Sequence, residues 1–143
     1  MELKVKRLDP GIPMPRYAKP GDAGFDLRAT KGMAINPGET VMVGTGLAVE
    51  IPVGHVGLVF PRSGLASKKG VNLANCVGVV DSGYRGEVKL PLHNAGRDAV
   101  YVSRGVRCAQ MAVVPFAACE LVESDELADT ERGAGGFGSS GEL

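Results

Sequence analysis

Short runs of alternating apolar and polar residues dominate the chain, and none continues at helical period long enough to make a long amphipathic helix. LKVKRL (3–8) alternates apolar with basic residues, the pattern of a strand with one wet face. The proline-rich stretch PGIPMPRYAKPGDAG (10–24) reads as an irregular loop. AGFDLRAT (23–30) follows as a short strand in which Asp26 points away from Phe25 and Leu27. NPGETVMVGTGLAVEIP (36–52) reads as a turn with two strand-like stretches, and HVGLVFP (55–61) as a further strand. RSGLASKKG (62–70) is the best helix candidate; Ser63 is placed to cap it and Gly70 to end it. VNLANCVGVVDSGYRGEVKLPLHNAG (71–96) predicts two strands around a hairpin turn at DSGYRG. AVYVSRGVRCAQMAVVPF (99–116) predicts two more around Arg104–Gly105. The body is therefore expected to be an all-β sandwich or jelly roll with one short helix.

Composition narrows this. At 143 residues, 44% of them hydrophobic, the chain is one domain with enough apolar material for a core. The 21 glycines and 9 prolines punctuate the apolar runs as many short strands require. Lys plus Arg equals Asp plus Glu at 16 each, which removes the electrostatic footprint of a duplex nucleic-acid or anionic-membrane binder. A small phosphorylated ligand, needing only a local positive site, stays open. No apolar run reaches membrane-spanning length, and MELKVKRLDP does not read as a signal peptide, so a cytoplasmic location (host cytoplasm if the gene is viral) is expected. Cys76, Cys108 and Cys119 lack CxxC spacing and read as reduced core fillers. With only His55 and His93 available, neither near a cysteine, a dedicated zinc site is not expected.

From Glu120 to Glu131, six of twelve residues are acidic, which reads as a linker leaving the core. The boundary is set at residues 1–121 for the core and 122–143 for linker and arm. In the tail RGAGGFGSSGEL (132–143), Gly133, Gly135 and Gly138 satisfy GxGxxG. A dinucleotide loop needs a strand before it and a helix after it; here an acidic linker precedes and the chain stops. Two readings stay open for the tail. It is either a solvated terminus or a flap in which Arg132, Phe137 and the backbone N–H groups close on a ligand.

Other constellations carry chemistry. Arg62 and Ser63 lie at a strand-to-helix junction, either an ordinary capped turn or an anion site. Asp81 follows Val79–Val80 into the turn with Tyr84 and Arg85; it is either a turn residue or a base for water. Asn75 can face the same cavity and offers both a donor and an acceptor. Gln110, in an otherwise apolar strand, is either a structural hydrogen bonder or a site residue.

In order, AGFDLRA, PRSGLASKKG, NCVGVVDSGYRGEVK, RCAQMAVVP and RGAGGFGSSG resemble the five motifs of the trimeric dUTPase family, over residues 23–141. The resemblance implies a distorted jelly-roll subunit with a glycine-rich arm, and a homotrimer whose active sites are shared between subunits. It implies Mg2+-assisted hydrolysis of dUTP to dUMP and pyrophosphate, which limits uracil incorporation into DNA and supplies dUMP for dTMP synthesis. It implies no nucleic-acid or membrane partner. By the same resemblance Asp81 activates the attacking water, and Gln110 helps to hold the α-phosphate and that water. Asp26 acts through neighbouring groups or metal-bound waters, the Mg2+ being held mainly by substrate phosphates and waters. Arg62, Ser63 and Gly64 bind phosphate. Asn75 and the backbone of Val79, Val80 and Asp81 form the uracil and deoxyribose pocket, to which Lys89 contributes. Tyr84 packs under the deoxyribose. Arg132 clamps phosphate, Phe137 covers the base, and Gly138, Ser139 and Ser140 lie near the phosphates. Two alternatives are kept. One is a dCTP deaminase of the same fold, for which Glu87 is the only nearby glutamate, expected on the Arg85 and Lys89 side. The other is a non-catalytic trimer that binds a protein partner.

Overall fold

A computed structural model describes residues 1–136. Ten strands and one short helix follow the chain as β1 (Lys4–Arg7), β2 (Phe25–Arg28), β3 (Met33–Ile35), β4 (Thr40–Glu50), β5 (His55–Pro61), α1 (Ser63–Lys69), β6 (Val71–Leu73), β7 (Gly78–Val80), β8 (Glu87–Asn94), β9 (Val100–Val102) and β10 (Arg107–Pro115). One four-stranded sheet has the order β1-β4-β8-β6, a second β2-β10-β5-β7, and β3 pairs with β9 as a two-stranded ribbon. All pairings are antiparallel. The fold is the all-β, jelly-roll-like architecture expected from the alternation.

Alternation sets the core. In β8, Val88, Leu90, Leu92 and Asn94 are buried, while Glu87, Lys89, Pro91 and His93 face outward. In β2, Phe25 and Leu27 are buried and Asp26 turns to the other face. These inner faces meet in one cluster with Val43, Leu47, Val59, Ala109 and Met111. Fully burying one such leucine or valine contributes about 1.5–3 kcal/mol. Asn94, also fully buried, donates to the carbonyls of Ile35 and Asp98, both at 2.8 Å, and accepts from the Gly96 N–H at 2.9 Å. No polar atom is stranded there.

Four local expectations are corrected. The two stretches within 36–52 are one eleven-residue strand, β4, whose register against β8 shifts between Gly44 and Ala48. Gly46 sits there at φ 67°, a left-handed value that L side chains rarely adopt, and Thr45 Oγ1 donates to Val88 O at 2.6 Å across the irregularity. The chain passes Gly44 and Gly46 as a bulge within one strand. DSGYRG is not a hairpin turn: β7 pairs with β5 and β8 with β4 and β6, so residues 81–86 cross between sheets. The segment 71–96 therefore holds three strands, not two. Arg104–Gly105 likewise joins β9, on the ribbon, to β10, in the second sheet. Finally, Arg62 takes the N-cap position of α1 without a side-chain cap bond, and Ser63 is the first helical residue; Gly70 ends the helix as expected, at φ 67°.

The cysteines divide. Only Cys108 fills the core; Cys76 and Cys119 are exposed. Burial pushes the Cys108 thiol up to about 11, against smaller lowering effects of a backbone hydrogen bond and the Arg62 charge. The thiolate is the reactive species, so near pH 8 a thiol reagent will modify Cys76 and Cys119 promptly and reach Cys108 only after unfolding. Mass spectrometry of native and denatured labelling reactions checks this; rapid native labelling of Cys108 would contradict it.

After β10 the chain leaves the sheets. Phe116 still donates its N–H to Gly54 O at 3.1 Å, but no regular element follows in the described residues. No helix among them is long and apolar enough to cross a membrane.

Candidate active site

The residues singled out in the sequence gather in two places. The first is a cavity of about 340 Å³ between β7 and β8, lined by Asn75, Val79, Val80, Asp81, Tyr84 and Lys89, with Val59, Leu73 and Leu90 among its apolar walls. Its size is that of a small-molecule site. Among the described residues β7 is the last strand of its sheet, with β5 as its one neighbour. Alternate N–H and C=O groups of β7 therefore have no strand partner on the open edge, and a planar ligand with its own donors and acceptors can pair with them. Asn75 lies beside β7, its amide nitrogen 3.6 Å from where a side chain at Gly78 would begin.

Asp81 leaves β7 directly after buried Val80, so its carboxylate sits at the rim, exposed. Among the described residues it pairs with no cation, and its carbonyl accepts the Tyr84 N–H at 3.1 Å. A base that is to take a proton from water must have a free lone pair, and Asp81 has one. Tyr84 leans its half-exposed ring over residues 85–86 and donates its phenol to Glu87 O at 2.9 Å. Glu87, expected on the Arg85 and Lys89 side, lines this cavity, but its Oε1 accepts the Gly46 N–H at 2.8 Å and is tied to β4.

The second group is built on the other sheet. Antiparallel register puts Asp26, Gln110 and Phe60 in one cross-strand row, on one face. Arg62 Nε donates to Asp26 Oδ1 at 2.8 Å, and Arg107 Nη1 to Asp26 Oδ2 at 3.1 Å. Arg62 also reaches Arg107 O at 3.5 Å, and Gln110 Nε2 donates to Pro61 O at 3.2 Å. Helix geometry leaves the N–H groups of Ser63 and Gly64 without intrahelical acceptors beside this pair of guanidiniums. Space around Gly64 is open. The result is a donor set with two positive charges and one negative, suited to phosphate oxygens. Arg107 was not anticipated. Its signal was only its place at the start of β10, three residues before Gln110, and nothing local names an acidic partner 81 residues away.

The two groups do not meet within one chain. Asp81 lies one step beyond the Gly57–Val80 pair, four residues along β5 from Phe60, and β7 is two strands from β10. At about 3.3 Å per residue and about 4.8 Å per strand, the Cα atoms of Asp81 and Gln110 are roughly 16 Å apart. Arg132 belongs to neither group; it is exposed, with Nε donating to Gly135 O at 2.8 Å. Phe137, Gly138, Ser139 and Ser140 lie outside the described residues. Among the described residues no three His, Cys, Asp or Glu side chains come together as a metal cradle.

Known proteins resemble this chain in sequence and in fold. The deoxyuridine 5′-triphosphate nucleotidohydrolase of Nocardia farcinica (strain IFM 10152) is 52% identical over 140 residues, covering 97% of this chain and 85% of its own. The solved structure of a Staphylococcus bacteriophage 80alpha dUTPase mutant with dUpNHpp superimposes with a TM-score of 0.92 at 29% identity, covering 99% of both chains. A mutant dUTPase from phage phi11 of S. aureus, described with a structural Mg(II) ion, matches with a TM-score of 0.82 at 26% identity, covering 88% of this chain and 98% of its own. The dUTPase family model matches residues 11–141, and the chain belongs to that family.

Proposed function

We propose that this chain hydrolyses dUTP to dUMP and pyrophosphate, using water activated by Asp81 to attack the α-phosphate. The observation that carries the reading is the open edge of β7 facing a nucleoside-sized cavity, with Asp81 at its rim. Uracil presents an N–H flanked by two carbonyls, a pattern that strand-edge groups and the Asn75 amide can complement. Cytosine inverts donor and acceptor at two of these three positions, and a site built on such bonds rejects the wrong pattern by factors of about 10⁴. Tyr84 packs against the sugar, and Lys89 borders the same cavity.

The phosphate half of the site comes from a second copy of the chain, in a homotrimer whose sites are shared. Two features support this: the roughly 16 Å between Asp81 and Gln110 within one chain, and Asp81 and Asn75, which are exposed among the described residues. Val122 and Leu127, 77% and 89% exposed, find no apolar cover among the described residues, as expected if residues 122–143 form an arm lying on a neighbour. On that arm Arg132 meets phosphate, and Phe137, Gly138, Ser139 and Ser140 complete the closure over the nucleotide.

Phosphoryl transfer is governed by charge neutralisation and alignment, so no nucleophilic serine or cysteine is required. Arg62, Arg107 and the N–H groups of Ser63 and Gly64 hold the triphosphate; Gln110 aligns the α-phosphate and the water. Both oxygens of Asp26 are taken by guanidiniums, so its role is to orient Arg62 and Arg107 rather than to ligate metal directly. Mg2+, held mainly by substrate phosphates and waters, would supply charge neutralisation on the triphosphate.

Pyrophosphate release measured across dUTP, dTTP, dCTP and UTP, with and without Mg2+, tests the reading. dUTP is expected to react strongly and the others weakly, with the rate falling when Mg2+ is removed. Ammonia from dCTP without pyrophosphate would replace the reading with deamination at Glu87.

A further inference from the structure

The turn that carries Asp81 and Tyr84 is held by groups that touch no reacting atom. Tyr84 hangs from two bonds, its N–H to Asp81 O at 3.1 Å and its phenol to Glu87 O at 2.9 Å. This folds the ring back over Gly86. A Cβ at position 86 would lie 2.6 Å from the ring Cζ and 3.0 Å from Cε2, and would also strike the phenol oxygen. An aromatic ring has no flexible end to give way, so any side chain there must swing the whole ring about its χ angles. Gly86 is not among the residues with positive φ; the position requires the absent side chain, not an unusual backbone.

Glu87, which receives the phenol on its carbonyl, is itself anchored. Its Oε1 accepts the Gly46 N–H at 2.8 Å, inside the register shift of β4. A Cβ at Gly44 would come within 2.7 Å of the same oxygen, so the carboxylate occupies a slot shaped to it. The links run from the β4 bulge through the Glu87 carboxylate to the Glu87 backbone and so to the Tyr84 ring.

We infer that Gly86 and the Glu87 carboxylate are positioning residues that set the height and tilt of the Tyr84 ring, and through it the discrimination between 2′-deoxyribose and ribose. The inference rests on the proposed dUTP reading, in which Tyr84 packs on the sugar. Ribose differs from deoxyribose by one hydroxyl. A ring displaced by a few tenths of an ångström changes the room for that hydroxyl more than it changes the attack at phosphorus, because close-contact energies are steep in distance.

The test is kcat/KM for dUTP and for UTP, with thermal midpoints, in the wild-type chain and in Gly86→Ala, Glu87→Ala and Glu87→Gln. Gly86→Ala is expected to narrow the dUTP-to-UTP ratio by about tenfold or more, the scale of one misfitted group in a tight pocket. Most of that change should be a rise in KM for dUTP. Glu87→Ala should narrow the ratio by a smaller factor. Glu87→Gln should restore most of it, because the amide oxygen still accepts from the Gly46 N–H. Equal losses on both substrates with an unchanged ratio, or no change at all, would overturn the inference, since a merely structural role lowers both alike. A wild-type chain that releases no pyrophosphate from dUTP fails in a different arm and overturns the underlying reading along with the inference.

Discussion

Asp81→Asn will reduce dUTP turnover by a factor of about 10²–10⁴, the usual range for loss of a general base, while nucleotide affinity stays within a few-fold. The substitution keeps the shape of the side chain and removes its basicity. Asp81 pairs with no cation among the described residues, and only its carbonyl is used by the turn, so the change breaks no ion pair and leaves the Tyr84 bond intact. Binding is expected to survive because the contacts that hold the base and sugar come from β7, Asn75 and Tyr84. Single-turnover hydrolysis together with calorimetric titration of a non-hydrolysable dUTP analogue separates the two effects. Near-wild-type turnover would remove Asp81 from the mechanism, and a parallel collapse of affinity would make it a binding residue instead.

The second large effect is a rescue. Gln110→Ala alone should be nearly inactive, because it removes the group aligning water and α-phosphate in the Asp26 row. Co-expressed with Asp81→Asn in equal amounts, it should recover activity to about a quarter of the wild-type rate. That is the share of sites in a randomly mixed oligomer that receive an intact Asp81 from one copy and an intact Gln110 from another. The reason is the roughly 16 Å between these residues within one chain, a gap that no side-chain movement closes. If both groups serve one site in a single chain, every site in the mixture carries one defect and no rescue occurs. A rate equal to the mean of the two inactive variants would therefore sink the shared-site arrangement.

Much of the candidate site was legible one element at a time. Period-two alternation put Asp26 opposite Phe25 and Leu27, and it lies there. Asn75, Val79, Val80, Asp81, Tyr84 and Lys89 were grouped through the family resemblance of one stretch of chain, and they line one cavity. Glycine at the end of a short helical run marked the left-handed residue that closes α1. Errors arose where a local signal had two physical solutions. The two strand-like stretches of 36–52 form one strand because β8 pairs alongside through the irregularity, with Thr45 bonded to Val88. DSGYRG and Arg104–Gly105 are sound turn sequences, but a turn sequence says nothing about whether the strands it joins pair with each other.

Short-range and long-range physics account for different parts of this molecule. Side-chain period, turn chemistry and composition act over a few residues, so strand positions, inward faces and the chemical types at the site can be read from the chain. Strand partners are chosen by burial on both faces of two sheets, a sum over contacts far apart in sequence. Only that sum sends β7 to one sheet and β8 to the other, leaves a cavity with an unpaired strand edge between them, and brings Arg107 to Asp26. It also sets the Asp81 cavity and the Arg62–Gln110 group apart, Asp81 just beyond β7 and Gln110 on β10, two strands away.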